Sequence, residues 1–397
     1  MKNATPFRIA IPDAEIDDLR RRLAATRWPN EPQGNEHWEY GTSLPYLQRL
    51  IDHWRDRYDW RKAEADLNRF PQFHTELTDA SGQTHRIHFL YERGSGSNPT
   101  PLILTHGWPS TFREFLDVVE PLAHPERFGG RVEDAFDVVV PSLVGYGFSS
   151  IPERPIGPAV MADLWHALMT ETLGYERYAA QAGDWGSFVT SRLALQHADS
   201  LIGIHLTMLP LRPNMRGPNI KPVSDEESVW IREMQAWWRR EEGYRSIQST
   251  KPMALAFALM DSPAGLAGWL ADKYYRLGDT DKSHTWEGME RRFPMDVILT
   301  QFSIYWFTRT INSANTLYKA GPAEGSGALK PGQRVEVPTA YTEYPIDVLP
   351  ITPRSWAERS YNIVRWRIVD KGGHFAAMEE PDLFAEDVRA AFREMRG

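Results

Sequence analysis

Short apolar runs alternate with helical stretches through the middle of the chain, and this alternation limits the fold more than any other feature. Leu102-Ile103-Leu104 precedes a stretch of helical period from Thr111 to Leu122. Phe136 to Val140 precedes a second from Ala159 to Leu173, Tyr178 to Ala182 a third from Phe188 to His197, and Leu201 to Leu209 follows. Strands apolar on both faces and joined by helices predict an α/β fold, a mostly parallel central sheet with helices on both faces. Strands return at Pro338 to Tyr344 and Ile363 to Val369, before a last helix from Pro381 to Met395. Between the two sets, residues 214–325 are helical in pattern and rich in aromatics. A helical block inserted there is expected to cap the C-terminal edge of the sheet, where α/β ligand sites lie. The glycine-rich stretch from Gly321 to Gly332 reads as a hinge-like return to the core.

The front of the chain has a different texture. Asp13 to Thr26 places Ile16, Leu19 and Leu23 on one helical face, and Ser43 to Tyr58 does the same with Leu47, Leu50, Ile51 and Trp54. Pro, Asn, Gly and Trp crowd the linker from Arg27 to Thr42, so this segment reads as a meander strapped around the core. Ile87 to Tyr91 reads as a strand, and Gly94 to Pro99 as a turn. The expected organisation is strap and first strands at 1–95, first core part at 96–213, cap at 214–325 and second core part at 326–397.

Composition removes several function classes. A net charge of −8 argues against nucleic-acid binding. The absence of Cys excludes disulfides, thiolate catalysis and sulfur-ligated metals together. No apolar stretch reaches the roughly 18 residues of a membrane span, so the expected setting is cytoplasmic, with no membrane contact. The 15 Trp among 397 residues are the one unusual figure, and Trp suits a binding cavity as well as a core.

Chemistry concentrates at three loops. Gln181-Ala182-Gly183-Asp184-Trp185-Gly186-Ser187 joins a strand to a helix through a tight turn, with small residues two positions either side of Asp184. Such an elbow pushes the tip residue out of the sheet. Ser is usual at the tip; a carboxylate there is already ionised and attacks an electrophilic carbon without prior deprotonation. The bland reading is a turn with Asp184 as a solvated helix cap. His106-Gly107-Trp108-Pro109 ends the preceding strand, so the backbone N–H groups of Trp108 and Trp185 can form an oxyanion hole, worth roughly 3–4 kcal/mol per donor. His374, freed by Gly372-Gly373 after the last strand, comes third in the order nucleophile, acid, His. Asp347, in Tyr344-Pro345-Ile346-Asp347-Val348, is the chosen acid to orient it, with Glu343 the weaker candidate.

These residues resemble the α/β-hydrolase epoxide hydrolases, specifically the microsomal-type group with its N-terminal strap. The resemblance covers nearly the whole chain: Thr26-Arg27-Trp28-Pro29, His106-Gly107-Trp108-Pro109, Gly183-Asp184-Trp185-Gly186-Ser187 and Gly372-Gly373-His374-Phe375-Ala376-Ala377. Ala182 stands where family members usually have Gly, and is small enough to keep the turn. The resemblance implies two ring-opening tyrosines in the cap, matched here by Tyr244 in Glu241-Glu242-Gly243-Tyr244 and Tyr318 in Asn315-Thr316-Leu317-Tyr318-Lys319. Tyr274, Tyr275, Tyr305 and Tyr341 are rivals for those positions. It further implies a soluble enzyme that opens an epoxide with water to a vicinal diol through an ester on Asp184, without metal or cofactor.

The aromatic cap suggests a bulky or aryl epoxide, with Trp237, Trp238, Trp306 and Phe375 expected along the pocket, in detoxification or natural-product biosynthesis. A homodimer is left open. Two rivals remain: a haloalkane dehalogenase, which uses the same elbow carboxylate but needs no tyrosine pair, and a catalytically silent binding scaffold.

Overall fold

The apolar runs become the middle of one nine-stranded sheet in a computed structural model that describes residues 1–35, 37–211, 222–280, 286–330 and 332–396. The strands are β1 (Thr5–Phe7), β2 (Gln72–Thr78), β3 (Thr84–Glu92), β4 (Thr100–Thr105), β5 (Phe136–Pro141), β6 (Tyr178–Ala182), β7 (Leu201–Leu206), β8 (Val335–Glu343) and β9 (Tyr361–Ile368). Their order in space is β1-β2-β3-β5-β4-β6-β7-β8-β9. β1, β2 and β3 pair antiparallel, β3 meets β5 antiparallel, and every later pairing is parallel. Every residue of β5 and β6 is buried, because helices cover both faces, and that is why these runs are apolar without alternation. β9, at the edge, leaves Val364 and Ile368 exposed.

The chain leaves β4 toward β5 on one side and returns to β6 on the other. The C-terminal ends of β4 and β6 therefore face a crevice at a change of direction, the place where open α/β sheets bind ligands. β4 runs into His106-Gly107-Trp108-Pro109, and β6 runs into the elbow.

Several elements differ from the sequence reading. β2 went unread because His74 and Glu76 interrupt its apolar pattern. The expected helix from Thr111 begins as a 3₁₀ turn, Phe112–Phe115, capped by the Thr111 hydroxyl accepting from the Arg113 N–H, and becomes α only over Leu116–Ala123. The helix expected over Ala159 to Leu173 is α over Pro158–Ala167 and ends in a wider π turn, Leu168–Thr172. The run Leu201 to Leu209 is a strand only to Leu206.

Between β7 and β8 lie seven helices among the described residues: Asp225–Glu241, Gly243–Thr250, Pro252–Asp261, Pro263–Leu277, Trp286–Arg292, Met295–Thr308 and Ile311–Glu324. The first starts with a reciprocal box, in which Ser224 accepts from the Glu227 N–H and the Glu227 side chain accepts from the Ser224 N–H. The boundary expected at 213/214 lies outside the described residues. Gly321 to Glu324 belong to the last cap helix, so the return to the core starts at Gly325, whose φ of +75° ends that helix. Pro331, within the same glycine-rich stretch, is also outside the described residues.

The N-terminal segment contributes helices Asp13–Ala24, Leu44–Asp56 and Trp60–Leu67, and these fasten to the cap. The Trp54 indole N–H donates to Ser303 Oγ at 3.1 Å, His53 Nε2 lies 2.7 Å from Asp296 Oδ1, and the Trp38 ring stacks on Tyr275 at 4.2 Å. Among the described residues no single helix is long and apolar enough to cross a membrane.

The elbow helix, Asp184–Gln196, packs so closely on the end of β4 that a Cβ on Gly186 would collide with the Thr105 carbonyl. Gly186→Ala is therefore expected to lower stability by about 1–3 kcal/mol through overpacking. Urea unfolding of variant and wild type checks this; equal midpoints would show that the turn relaxes freely.

Candidate active site

Asp184 is the first residue of its helix and has a φ of +42°, a left-handed conformation that side chains other than Gly rarely adopt. That twist carries its carboxylate out of the sheet toward the loop after β4. The Trp108 N–H donates to Asp184 Oδ1 at 2.7 Å, leaving Oδ2 for other partners. Gly107 makes this approach possible, since a Cβ there would collide with Asp184 Oδ1 and Cβ. Trp185 is the second residue of the helix, so its N–H has no intrahelical acceptor by position.

His106 supports the loop. Its Nε2 accepts the Leu143 N–H at 3.2 Å, which makes Nδ1 the protonated nitrogen and lets it donate to the Gly107 carbonyl at 3.1 Å. Burial pushes its pKa down to about 4, so the ring is neutral.

His374 follows β9 and sits between two carboxylates. Nδ1 is 2.6 Å from Asp347 Oδ1, and Nε2 is 3.4 Å from Asp184 Oδ2. Asp347 Oδ1 also accepts the Val348 N–H at 2.6 Å, which fixes the carboxylate. Burial alone would lower the His374 pKa, but the hydrogen bonds to Asp184 and Asp347 and the negative charge of both outweigh it and hold the pKa well above the ordinary range. Glu343 ends β8 facing elsewhere, accepting the Trp366 indole N–H at 3.1 Å. Of the two, Asp347 contacts His374 and Glu343 does not.

A cavity of about 380 Å³ opens above Asp184, and Tyr244 and Tyr318 both line it from the cap. Their ring centroids lie 5.9 Å apart at a steep angle. The Trp108 ring stacks on Tyr244 at 5.2 Å, and the Trp185 ring meets Tyr318 edge-on at 4.9 Å. Burial, with the negative charge of Asp184, raises the pKa of Tyr244; burial, with Tyr244 and Asp184 nearby, does the same to Tyr318. Both phenols are therefore protonated at neutral pH. The rival tyrosines pack elsewhere: Tyr274 on Phe375, Tyr275 on Trp38, Tyr341 on Trp366, while the Tyr305 hydroxyl donates to the Ser110 carbonyl at 2.9 Å.

Trp237 and Trp238 line the cavity with Phe188, Met208 and Leu349. Trp306 and Phe375 do not, which corrects the expectation for both. Trp306 lies at the strap–cap junction with the Arg22 guanidinium 5.7 Å over its ring, because its helix turns that face toward Asp13–Ala24. Phe375 is buried behind His374, stacked on Tyr274 at 4.4 Å. Three charged residues went unnoticed in the sequence. Lys273 holds its ammonium 4.5 Å from the Tyr244 ring centroid. Glu114, buried near His374, has its pKa pushed up to about 7 by burial. Glu379 ends the run that begins at Lys371, and that position was its only signal.

Sheet order, elbow and acid–His pair define an α/β hydrolase. Residues 4–115 match the family model described as epoxide hydrolase N terminus, and residues 100–249 match the alpha/beta hydrolase fold. A putative epoxide hydrolase of Stigmatella aurantiaca is 41% identical over 99% of this chain and 85% of its own length. Epoxide hydrolase 1 of Sus scrofa is 32% identical over 97% of this chain and 87% of its own. Among solved structures, the juvenile hormone epoxide hydrolase of the silkworm Bombyx mori superposes with a TM-score of 0.82 at 27% identity, covering 99% of this chain and 94% of that one. The Aspergillus niger epoxide hydrolase gives 0.82 at 29% identity, covering 98% and 96%. The chain belongs to the epoxide hydrolase family, and its activity is that of an epoxide hydrolase.

Proposed function

We propose that the enzyme opens a bulky or aryl epoxide through a covalent ester on Asp184. The observation that carries this reading is the division of labour at that carboxylate: Oδ1 accepts the Trp108 N–H, and Oδ2 is directed to the His374 side of the cavity. Oδ2 attacks one epoxide carbon, the carbon–oxygen bond of the ring breaks, and the released oxygen takes a proton from Tyr244 or Tyr318. The product of this half-reaction is a hydroxyalkyl ester. His374 then takes a proton from water, and the hydroxide adds to the ester carbonyl. The resulting oxyanion lies toward the N–H groups of Trp108 and Trp185. Collapse breaks the bond between acyl carbon and alkoxide, His374 returns its proton to the alkoxide, the second proton of the water passes from the Asp184 carboxyl group to the phenolate, and a vicinal diol leaves the restored carboxylate and phenol.

The cavity supports the substrate class. At about 380 Å³ it falls in the range of small-molecule sites, and Trp185, Phe188, Trp237 and Trp238 give it flat apolar walls. Such epoxides arise both in detoxification and in natural-product tailoring. The test is a single turnover of a styrene-oxide-like substrate in heavy-oxygen water. The ester route places the label in the Asp184 carboxylate and leaves the first diol unlabelled; label in the first diol would point to direct attack by water. Halide release from bromoalkanes at a rate comparable to diol formation would favour the dehalogenase reading instead.

Asp347 has its own expected result. With Asn at this position the His374 ring loses the acceptor that selects its tautomer, and diol release is expected to fall on the order of 10³–10⁴-fold. Rapid-quench assay of diol and ester checks this. A modest drop of both half-reactions together would remove Asp347 from the orienting role.

A further inference from the structure

The loop that carries His374 is bonded to the cap. The His374 N–H donates to the Leu277 carbonyl at 3.0 Å, and the Gly372 N–H donates to Asp279 Oδ2 at 3.0 Å. Leu277 ends the cap helix that begins at Pro263, and Asp279 lies two residues beyond. Gly373 lets the two backbones meet: a Cβ there would lie 2.8 Å from both the Asp279 nitrogen and the Leu277 oxygen.

One carboxylate closes this junction. Glu379 Oε1 accepts the N–H of Phe375, the residue after the base, at 2.9 Å, while Oε2 accepts the Asp279 N–H at 2.7 Å. Its side chain is fully buried. Arg292 grips the same junction from outside. It donates to the Asp279 carbonyl and Oδ2 at 3.0 Å each, to the Glu379 carbonyl at 3.0 Å and to Glu380 Oε1 at 2.5 Å. A buried carboxylate with both oxygens taken by backbone N–H groups of two separate chain segments is a fixed strut, since removing either bond leaves a buried polar group unpaired.

We propose that Glu379 is the positioning residue for His374, tying the base loop to the cap at Asp279 so that the cap sets the place of the base. The proposal rests on His374 acting as the base in ester hydrolysis. Burial pushes the Glu379 pKa up to about 7, against the lowering effect of its two N–H donors, so the strut operates near neutrality with its charge costly to keep. The first half-reaction depends on the strut less, because Asp184 and the Trp108 N–H are carried by the elbow and the loop after β4, and Glu379 bonds to none of Asp184, Trp108, Tyr244 and Tyr318. The second half-reaction depends on it more, because water must be held between His374 Nε2 and the ester carbonyl, and small misplacements there are expensive.

The experiment follows the ester on Asp184 by rapid-quench intact mass, using the full-length chain and styrene oxide, in wild type, Glu379→Gln and His374→Gln. Gln keeps the size but replaces one acceptor with an N–H₂ group that faces an N–H donor. In Glu379→Gln the ratio of ester decay to ester formation is expected to fall about tenfold to a hundredfold, so that ester accumulates. An unchanged ratio, with only a lowered Tm, would overturn the proposal and leave Glu379 a packing residue. Should Glu379→Gln fail to fold, Arg292→Met on the exposed side of the junction carries the same readout, with a smaller fall in the same ratio supporting the proposal and an unchanged ratio overturning it. Absence of ester in wild type and His374→Gln alike would overturn the underlying reading of Asp184 and His374, which separates that failure from failure of the strut.

Discussion

Replacing His374 with Gln is expected to stop the enzyme halfway, with Asp184 esterified and diol release slowed by at least about 10³-fold. The elbow, its φ of +42° and the Trp108 N–H on Oδ1 are untouched by this change, so attack on the epoxide continues. Intact mass should show one substrate added per chain, and peptide mapping should place it on Asp184. An unmodified chain that also makes no diol would remove Asp184 as the attacking group. The same geometry fixes a pH dependence. His374 holds its proton well above the ordinary range because two carboxylates flank it. Esterification of Asp184 cancels one of those charges, so the His374 pKa must fall in the intermediate. Ester decay needs the neutral ring and so rises with pH, and its midpoint is expected below the His374 pKa of the free enzyme. Single-turnover decay rates across pH, set against an imidazole NMR titration of the resting enzyme, give the two values; coincidence would contradict the charge argument.

The second large effect is expected at the tyrosine pair. Two phenols line one cavity with ring centroids 5.9 Å apart, so either alone retains a donor for the leaving oxygen. Tyr244→Phe and Tyr318→Phe are each expected to slow ester formation by about tenfold to a hundredfold. The double variant should lose on the order of 10²–10⁴-fold, the range for removing general acid catalysis altogether. Stopped-flow Trp fluorescence serves as the monitor, since the rings of Trp108 and Trp185 pack directly on these phenols. A double variant no slower than the worse single variant would mean that one tyrosine does all the protonation.

Local patterns carried most of the fold. Apolar runs without alternation mark strands buried on both faces, and β4, β5 and β6 fall on them because helices cover both faces there. β2 escaped notice because its polar residues break the same pattern. The elbow was legible because Gly183, Asp184, Trp185 and Gly186 are adjacent in sequence, although the groups that need the two glycines, Thr207 and Thr105, are distant along the chain. Asp347 was chosen over Glu343 from the sequence, but the two stand only four positions apart, and it is the course of the chain after β8 that decides which meets His374. The aromatic cap residues could not be sorted by sequence. Trp238 sits on a charged helix, Asp225–Glu241, and Trp306 on an apolar one, Met295–Thr308, but it is the packing of each helix that decides whether its ring faces the cavity or the strap. Glu379 was in plain view at the end of a glycine-led run, but its partner Asp279 is 100 residues away.

The twist at Asp184 has a consequence for how this sequence can change. A non-Gly residue at a φ of +42° carries a local cost of about 1–3 kcal/mol, which Gly at the same position would relieve. The substitution that best suits the backbone here is thus one that removes the carboxylate. Selection for stability alone would remove this carboxylate, and a gain in Tm for Asp184→Gly with complete loss of turnover would display the conflict directly. With Asp184 as the proposed attacking group, stability and activity pull this one residue in opposite directions.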